Sequence, residues 1–243
     1  MEKCLTIREG VDRVLKIFEK EPADWELISG EYTDTLVLAG VSYPLFWWRA
    51  DPQVDMMHDL APERKICSMK LNRTCPKSWG LEKLLYKELD IAEYMIGCPV
   101  KSMMNFRNGD SLNMLCTMEQ EQVAIFELGA TLHDGTDEQG RHTYWGTDGM
   151  ASDKVVSQKL PSRAVYLFTQ DKSEPTTYHD LFIYMYGLSH TDVMKAVCIA
   201  EILLGRRDIS DWNEKDAHYR RCIAVAAESA QQVRRLEVKA VGN

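Results

Sequence analysis

Between Trp79 and Thr131 the chain reads WGLEKLLYKELDIAEYMIGCPVKSMMNFRNGDSLNMLCTMEQEQVAIFELGAT, a stretch that few arrangements satisfy. From Leu81 to Met95 the apolar Leu84, Leu85, Leu89, Ala92 and Met95 recur at helical spacing, with Glu82, Lys83, Lys87, Glu88 and Glu93 between them. That spacing predicts an amphipathic helix. Gly97 tolerates a left-handed cap and Pro99 cannot continue the helical ladder, so the helix ends there. Val100 to Phe106, Ser111 to Met118 and Val123 to Thr131 then read as strands, joined by Asn108-Gly109-Asp110 and by the polar Glu119 to Gln122. One helix feeding consecutive antiparallel strands predicts a sheet with a helix across one face.

The rest of the chain arranges itself around this unit. Ile7, Val11, Val14, Leu15 and Phe18 mark a helix from Thr6 to Lys20, with Thr6 and Glu9 spaced as a capping box. Thr35 to Val41, TLVLAGV, reads as a short buried strand, and with the preceding helix suggests a piece of an α/β layer. Asp51-Pro52 opens a helix to Leu60, Lys65 to Asn72 alternates as a strand, and Thr74 to Trp79 with Pro76 reads as a loop. Past Thr131 comes a hairpin with a long polar tip, then strands over Val155 to Gln158 and Ala164 to Thr169. His179 to Tyr186 and Asp192 to Leu204 are dense in apolar residues, and Ala217 to Leu236 reads as a long helix. The order of elements defines an α+β fold.

At 243 residues and 45% hydrophobic content, the chain can bury a large core without disulfide or metal staples. Its 29 basic and 37 acidic residues leave a net charge of −8, and no Lys/Arg cluster is long enough to track a phosphate backbone, which argues against nucleic acid as a partner. Seven scattered cysteines without a C-x-x-C pair fit reduced thiols in a cytoplasm. MEKCLTIREG lacks the basic and apolar regions of a signal peptide, and no run of 18 apolar residues occurs, so a cytoplasmic protein without a membrane span is expected.

The chemistry-bearing residues are few. Lys83 and Lys87 stand one helical turn apart and could bind an anionic substrate, but flanking Glu82 and Glu88 make a solvated helix face the favoured reading. His133, Asp134, Asp137 and His142 are the nearest approach to a metal constellation, since a hairpin could bring both histidines together. Asp134-Gly135 and Gln139-Gly140 are ordinary turn chemistry, and no metal is expected. Of the adjacent Trp47 and Trp48, one is expected buried and the other at an interface.

Several segments together resemble the glucose-fructose oxidoreductase, inositol dehydrogenase and rhizopine-catabolism (Gfo/Idh/MocA) family. Glu2-Lys3-Cys4 resembles the family's Glu-Lys-Pro motif, and TIREGVDRVLKIFEK resembles the helix after it. GVSYPLFWWRADP is similar to the family's next strand and Arg-x-x-Pro segment, with Arg49 and Pro52 in place. DIAEYMIGCPVKSM resembles the passage from helix to sheet, and WGTDGM a glycine turn within it. The resemblance implies a large open, mostly antiparallel sheet with helices on one face over residues 49–243, preceded by a remnant of the nucleotide-binding Rossmann half over residues 1–48. It also implies Lys3 as a catalytic residue, with Arg49, Tyr178, His179 and Tyr184 near a sugar or cyclitol substrate, and oligomerisation through the open sheet face.

Two departures set the expected function. The sequence starts at the Glu-Lys-Pro position and none of its 14 glycines forms even a Gly-x-Gly, so no NAD(P) cofactor is expected for this chain alone. NAD(P) enters only if a Rossmann domain completes it. The family's Asp-x-Gly-x-His-x-x-Asp, aligned on Asp90, becomes Lys83, Leu85 and Lys87. An exposed lysine is a poor proton acceptor compared with imidazole. The expectation is a degenerate, non-catalytic binding or structural subunit, in a homo-oligomer or with a full-length relative. The alternatives are a carbohydrate-active lyase or isomerase using Lys83, Lys87 or His179, and a fragment of an ordinary sugar dehydrogenase.

Overall fold

The computed structural model describes residues 5–21, 23–153, 164–168, 173–177 and 187–238. The described residues within Met1–Asp55 and His179–Asp216 form one compact unit, and those within Met56–Tyr178 and Ala217–Asn243 form a second.

In the first unit, α1 (Ile7–Ile17) starts with the expected capping box: Thr6 accepts from the Glu9 backbone N–H, and the Glu9 carboxylate accepts from the Thr6 N–H. Its buried stripe is Val11, Val14 and Leu15. The TLVLAGV run is not one buried strand. It divides into β2 (Thr35–Leu38) and β3 (Val41–Pro44), which with β1 (Trp25–Ile28) make a three-stranded antiparallel meander. Ala39 (φ 49°) and Gly40 (φ 79°) both take positive φ, the requirement of a two-residue turn matched to strand twist. Only Leu36 of β2 is fully buried. Both Trp47 and Trp48 are buried, contrary to the split expectation, because the turn they occupy packs on Phe46, which also meets Trp212 at 4.9 Å between ring centroids. This unit also holds α4 (His190–Leu203), capped by Ser189 accepting from the Asp192 N–H.

Helix α2 (Pro52–Arg64) leads into β4 (Ile66–Pro76). The second unit then follows with α3 (Leu81–Ile96), β5 (Val100–Asn108), β6 (Ser111–Met118), β7 (Val123–Leu132), β8 (Gln139–Gly146) and β9 (Gly149–Ser152). Next come β10 (Ala164–Phe168), β11 (Ser173–Thr177), α5 (Trp212–Gln232) and β12 (Leu236–Glu237). Val155 to Gln158 and His179 to Tyr186 lie outside the described residues.

The nine strands β4 to β12 form one sheet in the order β11-β10-β9-β8-β4-β7-β6-β5-β12. Every neighbouring pair is antiparallel except β4 and β7. The sequence placed the strands after α3 in consecutive pairing, whereas β4, from before the helix, inserts between β7 and β8. Parallel pairing needs a long crossover, and α3 with β5 and β6 supplies it. The expected loop at Thr74 to Trp79 begins as strand: β4 continues through a bulge to Pro76, where a residue without an N–H ends the ladder. Helix α5 stops at Gln232 rather than Leu236, and Leu236 pairs with Met103 on β5.

Alternation sorts the sheet into two faces. Leu112, Met114 and Cys116 of β6 with Phe126 and Leu128 of β7 are buried, while Leu115 and Ile125, paired directly with one another, remain exposed on the other face. Helix α3 packs on β4 and β7. At Gly140 (φ +149°) on β8 a Cβ would stand 2.0 Å from the Asn72 carbonyl oxygen of β4. Gly140→Ala should therefore cost about 2–3 kcal/mol, read as a lower urea midpoint, because the obstacle is backbone that cannot rotate away. An unchanged midpoint would mean that β8 sits further from β4 than described.

Candidate functional site

Helix α3 is far more buried than its charge pattern predicts. Lys87, Glu88, Asp90 and Glu93 all lie inside, at 5%, 0%, 0% and 9% exposure. The solvated-face reading of Lys87 is thus corrected: the helix is enclosed on several sides, and its charged residues survive by pairing. Glu93 Oε1 accepts from the Val100 N–H at 2.8 Å and contacts His218 Nε2 at 2.7 Å, tying α3 to β5 and α5. Lys83 stays near the surface, its ammonium 5.7 Å from the centroid of Trp79.

The densest chemistry lies where α3 meets β4, β8 and the end of β9. His142 is fully buried, and its Nε2 lies 2.8 Å from Glu88 Oε2 while its Nδ1 lies 2.8 Å from Asp153 Oδ2. The carboxylate of Asp153 also accepts from the His142 backbone N–H, at 2.8 Å. Arg73 of β4 lies alongside, with Nε 3.8 Å from Glu88 Oε1 and NH2 3.6 Å from Asp153 Oδ2. Burial and the adjacent Arg73 push the His142 pKa down, but Glu88 and Asp153 together outweigh them and raise it to about 9. In its charged form the imidazole donates to both carboxylates. Burial raises the Asp153 pKa, yet His142 and Arg73 hold it below the ordinary carboxylate value.

Next to this cluster Lys87 forms an ion pair with Glu138, on the segment between β7 and β8. Burial opposes the charge on Glu138, but Lys87 and then Arg73 lower its pKa to about 2. The same segment is tied down again where Asp134 Oδ1 accepts from the Ser78 N–H at 3.0 Å. Burial, reinforced by Glu138, lifts the Cys75 thiol to about 11, so it is no nucleophile at neutral pH. Chemically, the cluster holds cations against carboxylates. The two carboxylates favour the charged imidazole, while Arg73, with Nε 3.3 Å from His142 Nε2, opposes it.

Of the sequence-predicted candidates among the described residues, Lys87 and His142 join this cluster. Arg49 is buried in the first unit, its guanidinium 5.0 Å from the Phe46 centroid. Lys3, Tyr178, His179 and Tyr184 lie outside the described residues. The two histidines do not meet as metal ligands: His133 is exposed and His142 faces the core. Among the described residues no group of three or more His, Cys, Asp or Glu side chains is arranged to hold a metal ion. Sequence reasoning missed Arg73, Glu88, Glu138 and Asp153. The one available signal was His142 in alternation with Tyr144, which places both on the inward face of β8.

No family model and no curated protein matches the sequence. Solved structures do match, and the likeness is one of fold. Levoglucosan dehydrogenase in complex with NADH and L-sorbose is 12% identical with a TM-score of 0.63, over 81% of this chain and 65% of its own. An oxidoreductase from Agrobacterium radiobacter in complex with NAD+, L-tartaric acid and magnesium is 12% identical with a TM-score of 0.61, over 79% and 63%. An aldose-aldose oxidoreductase from Caulobacter crescentus complexed with glycerol is 11% identical with a TM-score of 0.60, over 79% and 62%. The chain thus spans less than two thirds of each of these structures. Among the described residues no helix is long and apolar enough to cross a membrane.

Proposed function

We propose that this chain is a binding or structural subunit built on the sheet of a sugar oxidoreductase, without dehydrogenase activity of its own. The observation that carries this reading is the state of the buried cluster. The position that resembles the family's proton-transfer histidine is Lys87, engaged by Glu138, and the buried histidine close by, His142, has both ring nitrogens 2.8 Å from a carboxylate oxygen, Glu88 on one side and Asp153 on the other. Neither offers an idle proton acceptor at neutral pH. NADH and NAD+ are bound by two of the matching structures, each longer than this chain. In our reading nicotinamide nucleotide belongs to a partner that supplies a nucleotide-binding half, or to no step at all.

The partner surface is the open sheet face. Leu115, Ile125 and Trp145 expose 37%, 36% and 40% of their area there, around a Lys70–Glu127 ion pair of 2.8 Å that Asn72 also joins. An apolar face with its polar groups already paired favours a second protein surface, most simply another copy.

The alternative, a carbohydrate-active enzyme, draws support from Glu88 Oε1 and Glu138 Oε2, which are buried without a hydrogen-bond partner and could accept from substrate hydroxyls. Calorimetry of the purified chain with NAD+ and NADP+, with mass determination on the same sample, separates the readings. We expect no nucleotide binding and a stable oligomer. Nucleotide binding with a micromolar Kd would overturn the subunit reading.

A further inference from the structure

An open groove of about 420 Å³ lies in the second unit between the end of α2, the end of α3 and the β6–β7 turn, within the roughly 300–1,000 Å³ typical of small-molecule sites. It shares no residue with the Lys87–His142 cluster. Its wall carries His58 of α2 and Tyr94 of α3 in a parallel stack, 3.8 Å between centroids and 6° between planes, with both rings partly exposed. Such a stack is a rigid, flat, amphipathic platform already formed without a ligand.

Its rims are polar and ordered. The Cys98 thiol donates to Gln122 Oε1 at 3.3 Å, and Gln122 Nε2 donates to Gln120 Oε1 at 3.5 Å, which leaves the Gln120 NH2 group as donor at the rim. Lys65, just past the end of α2, lines the groove as well. Acceptors come from α3 itself, whose last carbonyls, at Met95 and Ile96, have no partner within the helix. One lining residue, Lys65 (φ 46°), holds the left-handed backbone conformation that costs a residue with a side chain energy, a feature concentrated at binding sites.

These features select a ligand. Donors on one rim and acceptors on the other suit a molecule whose groups do both, which hydroxyls do. The negative end of a 16-residue helix disfavours phosphates and carboxylates. A flat platform favours a ring with an apolar face. We propose that this groove binds a neutral saccharide, one ring lying on the His58–Tyr94 stack and its hydroxyls bonded to Gln120, Lys65 and the end of α3.

The test is saturation-transfer NMR with calorimetry on the full chain, using cellobiose and maltose as probes and adenosine as a flat comparator. Saturable binding of at least one disaccharide is expected, weakened about tenfold by Tyr94→Ala, where the platform is lost. Gln120→Ala should weaken it about fivefold, one hydrogen bond's worth, and Tyr94→Phe should leave it intact. Circular dichroism confirms that each variant folds. Binding of neither disaccharide, binding of adenosine alone, or disaccharide binding undiminished in Tyr94→Ala would each overturn the proposal. The subunit reading would stand in all three cases, because its nucleotide and mass measurements do not involve this groove.

Discussion

His142→Leu should destabilise the protein by about 3–5 kcal/mol near pH 6.5, because it leaves Glu88 and Asp153 buried with Arg73 as their remaining shared cation. Leucine fills much of the imidazole volume, so the loss measures charge rather than a cavity. The pH dependence identifies the cause. The His142 pKa stands at about 9 in the folded protein against 6.5 for the free side chain. A raised pKa stabilises fully below 6.5 and is lost as pH climbs through 9, and a rise of this size corresponds to about 3 kcal/mol. Asp153 and Glu138 work in the opposite direction: their pKa values are lowered, so their contributions hold above the ordinary carboxylate range and fade in acid. The wild-type urea midpoint should therefore be highest between about pH 5 and 6.5 and should fall toward pH 9.5. His142→Leu should flatten the alkaline fall and narrow its deficit in acid, where the stranded carboxylates can protonate. A wild-type midpoint constant from pH 6.5 to 9.5 would show that His142 is neutral in the folded protein.

How far the sequence could be read follows from what each signal encodes. Periodicity reports which residues are apolar, so it located α1, α3, β5, β6 and β7 within a few residues and marked Gly97 as a cap, which takes φ 82°. It says nothing about which strand pairs with which. The insertion of β4 between β7 and β8 depends on contacts between Ser68 to Pro76 and strands more than 50 residues away. Pairing brings Arg73 opposite Gly140, and the hairpin of β8 and β9 returns Asp153 beneath His142. Glu88 reads as a solvent residue in a heptad-like pattern until that insertion encloses the helix. The buried cluster is a product of topology, and its members come from four separate parts of the chain. Resemblance reached Lys87 by a different route, as the residue standing where a histidine was expected.

That position carries the second large expectation. Lys87→Met removes the ammonium that faces Glu138, and the side chain of Glu138 is only 21% exposed. A carboxylate held near pKa 2 by its partner must then ionise almost unpaired or take up a proton. The loss should be about 3 kcal/mol at pH 7 and smaller near pH 4, where protonation relieves it. The double variant Lys87→Met/Glu138→Gln distinguishes an ion pair from a packing role. If the pair merely neutralises itself, removing both charges should restore most of the stability, since buried pairs contribute little beyond their apolar replacements. If the double variant stays as unstable as Lys87→Met, the lysine stem packs against its surroundings in a way methionine cannot copy. The same pair bears on activity. An ammonium already committed to Glu138 is a structural strut between α3 and the β7–β8 segment, and freeing it requires that segment to move. Should Glu138→Gln create turnover on a sugar that the wild type ignores, Lys87 would be a masked catalytic group and the subunit reading would fall.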